Sequence, residues 1–516
     1  MSRVPSFLRS EWFWFWTMVL VHLIPVFSYS IYPTLDGPAH VYNSRLLLNL
    51  LQGDELTSAL FALNGEIVPN WFSHATMAGL HTLFPALLAE KFIQILCILL
   101  LPVTARFLVR SIKPKAYWAG FLFFPFAHSF AFYLGFYNYC LGLSFYFAVT
   151  ALWLRGWQQE RWTGLLYWSG LMMVLYFTHL MALILFLGTA GVWMLIRWYK
   201  EHAKPIKPSL LLVLAALPSV FLTLLFILNH RGTSGGWVEL TLSGKLLDIL
   251  NIRPLITLAA EPGIYYSRVL FVGYLLMLSY HIFIAMKKKS ARYEHGYWLL
   301  LAGGTFVLYL IVPDGIASGG FIVPRLAMLF FLFVLVWFSV KGGNKYYLGG
   351  LSLLSIAVSC TFLTYHMRVM EKPVNQATEY YEMEAQIAEN SIVLPLNYSS
   401  NWLHSNYSNY LGVGDKGILV LENYETNAPH FPLVWKTKPP AESLGNFESS
   451  NNPRIDIAQY EAASGQRIDY ICRWSYNELH ADSTTHSVSQ QIDDNFELIF
   501  TTSGKRGELF ARRSGD

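Results

Sequence analysis

Long apolar runs recur through the first 366 residues, separated by short polar knots, and beyond that point the pattern becomes short apolar stretches among mixed charges. Crossing hydrocarbon takes about 20 apolar residues, and lipid offers a bare backbone no partner, so each long run predicts a transmembrane helix. Eleven runs fall at approximately 12–31, 85–107, 116–134, 138–155, 163–179, 180–197, 209–228, 265–286, 296–313, 321–340 and 346–366. Trp12, Trp14 and Trp16 form an aromatic cluster of the kind found at a membrane interface. No small-residue cleavage site follows them, so the first run is expected to remain as an uncleaved helix.

Lysine and arginine collect in every second loop. Arg3 and Arg9 precede the first run; Arg106, Arg110, Lys113 and Lys115 follow the second; Arg155 and Arg161 lie between the fourth and fifth. Arg197, Lys200, Lys204 and Lys207 follow the sixth, Lys287, Lys288, Lys289 and Arg292 the eighth, and Lys341 and Lys345 the tenth. Basic loops stay in the cytoplasm, so this alternation predicts a cytoplasmic N-terminus and an external C-terminus. It also checks the count, because a single missed helix would move a downstream cluster to the wrong side. Residues 32–84, 229–264 and everything after 366 are then external. The expected organisation is a multi-pass α-helical membrane domain over 1–366, with about eleven transmembrane helices, N-in and C-out, followed by an extracytoplasmic soluble α/β domain over 367–516.

Composition agrees. Of 516 residues, 54% are hydrophobic and only 14% charged, against roughly 25% charged in soluble domains, which excludes an ordinary soluble enzyme. The net charge of +4 comes from residues in short loops, which membrane topology explains, and no basic groove suggests nucleic acid. Cys97, Cys140 and Cys360 lie in apolar runs and only Cys472 in the soluble part, so no disulfide framework or metal-ligand spacing is present.

In the C-terminal segment, strand-like runs occur at 391–396, 417–422, 468–474, 496–501 and 508–512, divided by Asn, Gly, Pro and Ser. Residues 375–389 carry Tyr380, Met383 and Ile387 at helical spacing. Asn397, Tyr398, Trp402, His404, Asn406, Tyr407, Asn409 and Tyr410 suit either stacking on sugar or rest at a membrane interface.

The densest chemistry follows the first run, where Asp36, His40, Tyr42 and Arg45 stand within residues 32–45, ahead of Leu46, Leu47, Leu48, Leu50 and Leu51. A helix over 38–51 would put Asp36 at its N-terminus, His40 one turn on and the leucines on the membrane surface. Asp36 is then either an N-cap or a reactive carboxylate, and His40 and Arg45 either partners in chemistry or contacts to lipid headgroups. Three further segments lie at external turns: 136–143 with Asn138, 178–182 with His179, and 319–326 with Arg325. Arg325 sits just inside a helix, where a guanidinium is costly unless it snorkels or meets an anion. His179 reads equally as an interfacial histidine, and Asn138 as a helix cap.

This arrangement resembles the GT-C superfamily of integral membrane glycosyltransferases, which includes protein O-mannosyltransferases, oligosaccharyltransferase catalytic subunits and the bacterial aminoarabinose transferase of lipid A. Its members carry an essential acid just after helix 1, a surface-lying helix in the first external loop and often an external C-terminal domain, and Asp36 falls at that position. The resemblance implies an inverting enzyme of a bacterial inner or plasma membrane that moves a sugar from a polyprenyl-phosphate donor to a glycan, lipid or protein acceptor on the external face. It implies Asp36 as general base aided by His40, Arg325 and Arg45 on the donor phosphate, and Asn138, His179 and Tyr42 at the sugar or acceptor. Some members hold a divalent metal with acids of the second external loop, whereas residues 133–139 contain none. Metal-independent chemistry without a cofactor is therefore expected, with Glu66, Glu239 and Glu261 as the external acids able to overturn it.

Three rivals share the apolar pattern. A transporter or flippase of lipid-linked saccharides should show internal repeats and midplane charges, which are not evident. A surface-polysaccharide polymerase or ligase should carry a long late loop, but 314–320 is short. A non-enzymatic anchor has no need of so many helices. The 229–264 loop, with Arg231, Trp237, Glu239 and Arg253, is a candidate lid.

Overall fold

A computed structural model gives the structure and describes residues 10–156, 164–201, 206–230, 240–258, 260–287, 296–315, 320–341, 344–436, 456–478 and 483–513. Arg3, Arg9, Arg161, Lys204, Arg231, Trp237, Glu239, Lys288, Lys289, Arg292 and Gly319 lie outside the described residues.

In chain order the helices are α1 (Glu11–Ser28), α2 (Gly37–Gln52), α3 (Glu55–Leu60), α4 (Phe72–His81), α5 (Ala86–Ile112), α6 (Phe130–Tyr133), α7 (Tyr137–Gly156), α8 (Gly164–Thr178) and α9 (Leu180–Glu201). They continue as α10 (Ile206–Asn229), α11 (Leu242–Leu250), α12 (Ala260–Lys287), α13 (Gly296–Ile311), α14 (Ile322–Lys341), α15 (Lys345–Gln386), α16 (Ile457–Ser464) and α17 (Ser483–Asn495). The chain forms two compact units, one of Met1–Ser28 with Gln94–Val369 and the other of Tyr29–Ile93 with Met370–Asp516. A division at residue 366 and this grouping differ in where 29–93 falls.

The first unit is helical. Among the described residues, α1, α5, α9, α10, α12, α14 and α15 are long and apolar enough to cross a membrane, and α8 and α13 are shorter apolar helices. The chain is a multi-pass membrane protein. Ten of the eleven expected runs coincide with α-helices. The third, 116–134, does not: it is a 3-10 helix over Trp118–Phe126, a break, and the four-residue α6. Pro125 lacks the N–H that an α-helix needs at its centre, and the chain turns after α6 at Gly135, φ 77°. Its apolarity reports burial, since Phe121 and Phe124 pack on Phe15, Met18 and Val19 of α1. Arg106 grips Glu11 through both carboxylate oxygens, at 3.1 and 2.8 Å, and lies over the Phe15 ring.

α15 continues for 42 residues and absorbs both the run at 346–366 and the expected helix at 375–389. Val374, Ala377, Tyr380, Met383 and Ile387 recur at helical spacing and are buried, so the second unit has an amphipathic helix against its sheet.

That sheet has five strands in the order β3-β2-β5-β7-β6, with β2 (Ile392–Asn397), β3 (Leu419–Val420), β5 (Tyr470–Trp474), β6 (Phe496–Thr501) and β7 (Gly507–Arg512). All five expected strands are present. β2 runs parallel to β3 and β5, and β7 is antiparallel to β5 and β6. Buried on both faces, β2 reads as the continuous apolar run Ile392-Val393-Leu394-Pro395-Leu396, as parallel strands do. Pro395 is tolerated because β3 pairs only with Ile392 and Val393. The Val393 carbonyl accepts from Leu421 N–H, so Pro395, two residues on, faces the same side beyond the end of β3, where its missing donor breaks no ladder bond.

A second, two-stranded sheet joins β1 (Phe61–Leu63) to β4 (Leu433–Trp435), antiparallel, with Phe61 stacked on Trp435. The first loop therefore shares a sheet with the C-terminal segment.

Tyr42 of α2 packs tightly against the backbone at Gly412. A Cβ at Gly412 would stand 2.4 and 2.7 Å from two Tyr42 ring carbons and 2.9 Å from the Ile418 carbonyl, so only glycine fits. Gly412→Ala should destabilise the second unit by about 1–3 kcal/mol, the usual range for an overpacked core, read as a lowered unfolding midpoint in detergent. A wild-type midpoint would show that the contact is not tight.

Candidate functional site

α2 forms where the sequence led one to expect it. Pro38 occupies its first turn, and Gly53, φ 80°, ends it in a left-handed cap. Asp36 stands at the N-cap position but makes no side-chain cap bond. The Gly37 N–H instead donates to Thr34 Oγ1 at 3.1 Å. The Asp36 carboxylate accepts from Asn406 Nδ2 at 3.2 Å, and the same amide donates to the Leu35 carbonyl at 3.0 Å. Of the two sequence readings, the cap is not the one the geometry carries.

The side of α2 that follows is stitched to residues 420–425. The Tyr42 hydroxyl donates to the Val420 carbonyl at 3.3 Å and accepts from Val420 N–H at 2.8 Å. Asn43 and Asn423 exchange amide hydrogen bonds, each 2.9 Å. His40 Nδ1 lies 2.5 Å from Glu425 Oε1, and His74 Nε2 of α4 lies 2.8 Å from Glu425 Oε2. Positions 36, 40 and 43 share one helix face, so the polar stripe is turned into the protein. Leu46, Leu47 and Leu48 are buried as well, and Leu51 is exposed; the expected leucine face on the membrane surface reduces to that last turn.

Glu425 is fully buried. Burial by itself raises a carboxyl's affinity for a proton, but His74, then His40, and their hydrogen bonds outweigh it and hold the group at about 2. It is a permanent anion at neutral pH. His74 Nδ1 lies 3.4 Å from Ser73 Oγ, and the Phe431 ring packs on both imidazoles at 6.0 and 5.6 Å. These three residues are the donor cluster with metal-ligand spacing among the described residues, their ligand atoms all within 4.8 Å of one another. Asp36 belongs to no such group there.

Two residues assigned from the sequence have partners within the protein. Arg45, expected on a phosphate, pairs with the exposed Asp415 at 2.7 Å. Tyr42, expected at a sugar, is fully buried with its hydroxyl spent on the main chain of Val420, which makes it an anchor between α2 and β3. Glu66 is exposed, its N–H donating to Asn64 Oδ1.

In the helical unit, Arg325 and His179, from two of the turns expected to be external, meet at Tyr139. Its hydroxyl donates to the Arg325 carbonyl at 3.0 Å, and its ring meets His179 edge-on at 5.5 Å. The Arg325 guanidinium lies 4.3 Å over the Phe136 ring and 5.4 Å over Tyr139. Arg325 lines a pocket with Phe130, Leu134, Phe136, Phe321 and Met328, an apolar wall that strengthens any charge pairing made there. His179 accepts the Met181 N–H at 3.2 Å and so caps α9, and Asn138 is buried in the first turn of α7.

Neither a protein-family model nor a curated protein matches this sequence. Its fold, however, is matched by ArnT of Cupriavidus metallidurans in a crystal structure bound to undecaprenyl phosphate, with a TM-score of 0.56 over 97% of this chain and 98% of that one, at 13% identity. The fold is GT-C.

Sequence reasoning missed several residues that the fold brings together. His74 and Glu425 stand 351 positions apart, so no spacing joins them. In the helical unit, His22 donates Nδ1–H to the Met18 carbonyl and accepts from the Ser359 hydroxyl, His128 donates to the His22 carbonyl, and His366 meets Thr257 at 2.6 Å. Their signal was legible, since ionisable residues inside apolar runs are rare.

Two histidines of the second unit are held neutral. His81 donates to Ser44 Oγ at 2.7 Å, and burial first and the Arg45 guanidinium second lower it to about 4. His404 lies between Ser399 Oγ and Gln376 Oε1, at 2.8 and 2.9 Å, and burial first, then Arg506, lowers it to about 4. In the unfolded chain both protonate near 6.5, so between about 6.5 and 4 the unfolded state binds more protons. Their contribution to stability is complete above pH 6.5 and is lost as pH falls toward 4. Thermal melts should drop through that window and drop less steeply in His404→Asn; identical profiles would remove His404 from this account.

Proposed function

We propose that this protein is an inverting glycosyltransferase that moves a sugar from a polyprenyl-phosphate donor to an acceptor hydroxyl on the external face of the membrane. Asp36 is the general base. Its carboxylate stands at the start of α2 without a cap bond to the helix and is held by Asn406, and this is the observation that carries the reading. A carboxylate oriented by an amide is placed to take a proton from an attacking hydroxyl as the oxygen closes on the anomeric carbon and the phosphate leaves.

Arg325 is assigned to the departing phosphate. A guanidinium offers forked donors that match phosphate oxygens, and the rings of Phe136 and Tyr139 orient it. Supporting this assignment, ArnT shares the fold and its crystal structure is bound to undecaprenyl phosphate. His179, whose ring meets Tyr139, and Asn138, in the first turn of α7, are assigned to the sugar. Arg45, committed to Asp415, and His40, committed to Glu425, are left out of the chemical step. The step is written without a metal, because Asp36 alone does not supply the several oxygens that a hard cation needs.

A lipid carrier suits an external site, where nucleotide sugars are absent, and apolar helices accommodate an isoprenoid tail. Transfer from radiolabelled polyprenyl-phosphate sugars, assayed in proteoliposomes, tests the proposal. Asp36→Asn should lower the rate by about 10²–10⁴-fold with expression and membrane insertion unchanged; a fully active variant rules out Asp36 as base. Arg325→Ala should cost on the order of 10²–10³ in kcat, and unaltered turnover would leave the phosphate without this partner.

A further inference from the structure

His40, His74 and Glu425 come from three separate stretches of chain: the first turn of α2, the first turn of α4, and the 3-10 turn at Glu425–Asn427. All three side chains are buried, at 5%, 1% and 1% exposure. Two imidazole nitrogens and a carboxylate, each from its own element and all within 4.8 Å, are more than a buried acid needs for neutralisation. One protonated histidine would balance the charge; two convergent nitrogens match the coordination shell of a cation. The second histidine has an outer partner, with Ser73 Oγ on the Nδ1 side of His74 leaving Nε2 directed at the cluster. Metal-binding histidines are held in this way, their other nitrogen fixed by a neighbouring oxygen.

We infer that His40 Nδ1, His74 Nε2 and the Glu425 carboxylate form a structural site for a zinc-type divalent cation, which ties the first external loop to the C-terminal segment. The donor set chooses the metal class. Two imidazoles with one carboxylate suit Zn²⁺ and its neighbours, whereas Mg²⁺ and Ca²⁺ seek oxygen. Zinc bonds are about 2.0–2.2 Å long, so donors now 2.5 and 2.8 Å apart would spread slightly as the ion takes the place of the direct contacts between them. Phe431 packs on both rings, which limits access of bulk solvent and strengthens the bonds. A fourth position is left for water. The inference does not rest on the transferase reading and assigns the ion no part in sugar transfer, since Asp36 is not among its ligands.

The full chain, purified in detergent through an affinity handle free of histidine, should carry stoichiometric zinc by plasma mass spectrometry. A strong chelator should remove it and lower the melting temperature, and added zinc should restore both. Cobalt substitution should give the visible absorption of a tetrahedral ion, and X-ray absorption of the zinc protein should resolve scattering from two imidazoles. Glu425→Gln and His74→Gln should abolish stoichiometric binding. A wild-type chain that holds neither metal after incubation with excess, or a spectrum without imidazole, overturns the site. So does a folded His74→Gln protein that keeps its zinc. Because the spectra are taken on the unmodified chain, the outcome does not depend on the variants folding.

Discussion

An ionised carboxylate placed where water does not reach must be met by positive charge or by donors, at a penalty of several kcal/mol if it is not. Glu425 is in that position, and the second unit is organised around meeting it. The groups that do so come from α2 and α4, so residues far apart in sequence are drawn to one point. Asn43 with Asn423 and Tyr42 with Val420 extend the same seam in both directions. Breaking a buried pair by removing one partner costs more than the pair contributes, which makes the seam cooperative: losing any member strands the others.

Asp36 belongs to the end of this seam. It is fixed not by its own helix but by Asn406, a residue of the C-terminal segment. The precision with which the proposed base is held therefore depends on a domain that, by position in the sequence, looks like an accessory. In the helical unit the corresponding scaffold is aromatic. Tyr139 touches both Arg325 and His179, and Phe136 lies beneath the guanidinium. A cation so placed is oriented by ring faces.

Much of this was readable from the chain, and the exceptions have physical causes. Ten apolar runs became helices and five alternating or apolar stretches became strands, because burial pattern and backbone satisfaction leave few choices. The run at 116–134 misled because apolarity measures distance from water, and a segment buried among helices looks like one buried in lipid; Pro125 was the sign that it does not continue as a helix. The leucines of α2 misled for a related reason. The stripe that decides its orientation is the polar one, Asp36, His40 and Asn43, whose partners stand some 370–385 residues on and leave no trace in local periodicity. His74, Glu425 and the β1–β4 ribbon were invisible on the same account, while Asp36 and Arg325 stood out because each lies beside an apolar run where charge is rare.

The ribbon between β1 and β4 has a further consequence, one of timing. Asn64 hydrogen-bonds to Pro429, 365 positions later in the chain. At about 5–20 residues per second of synthesis, the early strand emerges roughly tens of seconds before its partner exists. Through that interval the long apolar helices from α5 to α15 are made while Phe61–Leu63 waits with an open edge. The second unit is thus the last part of the molecule to close, and a chain stopped short of Leu433 is left with a loop that has nothing to pair with.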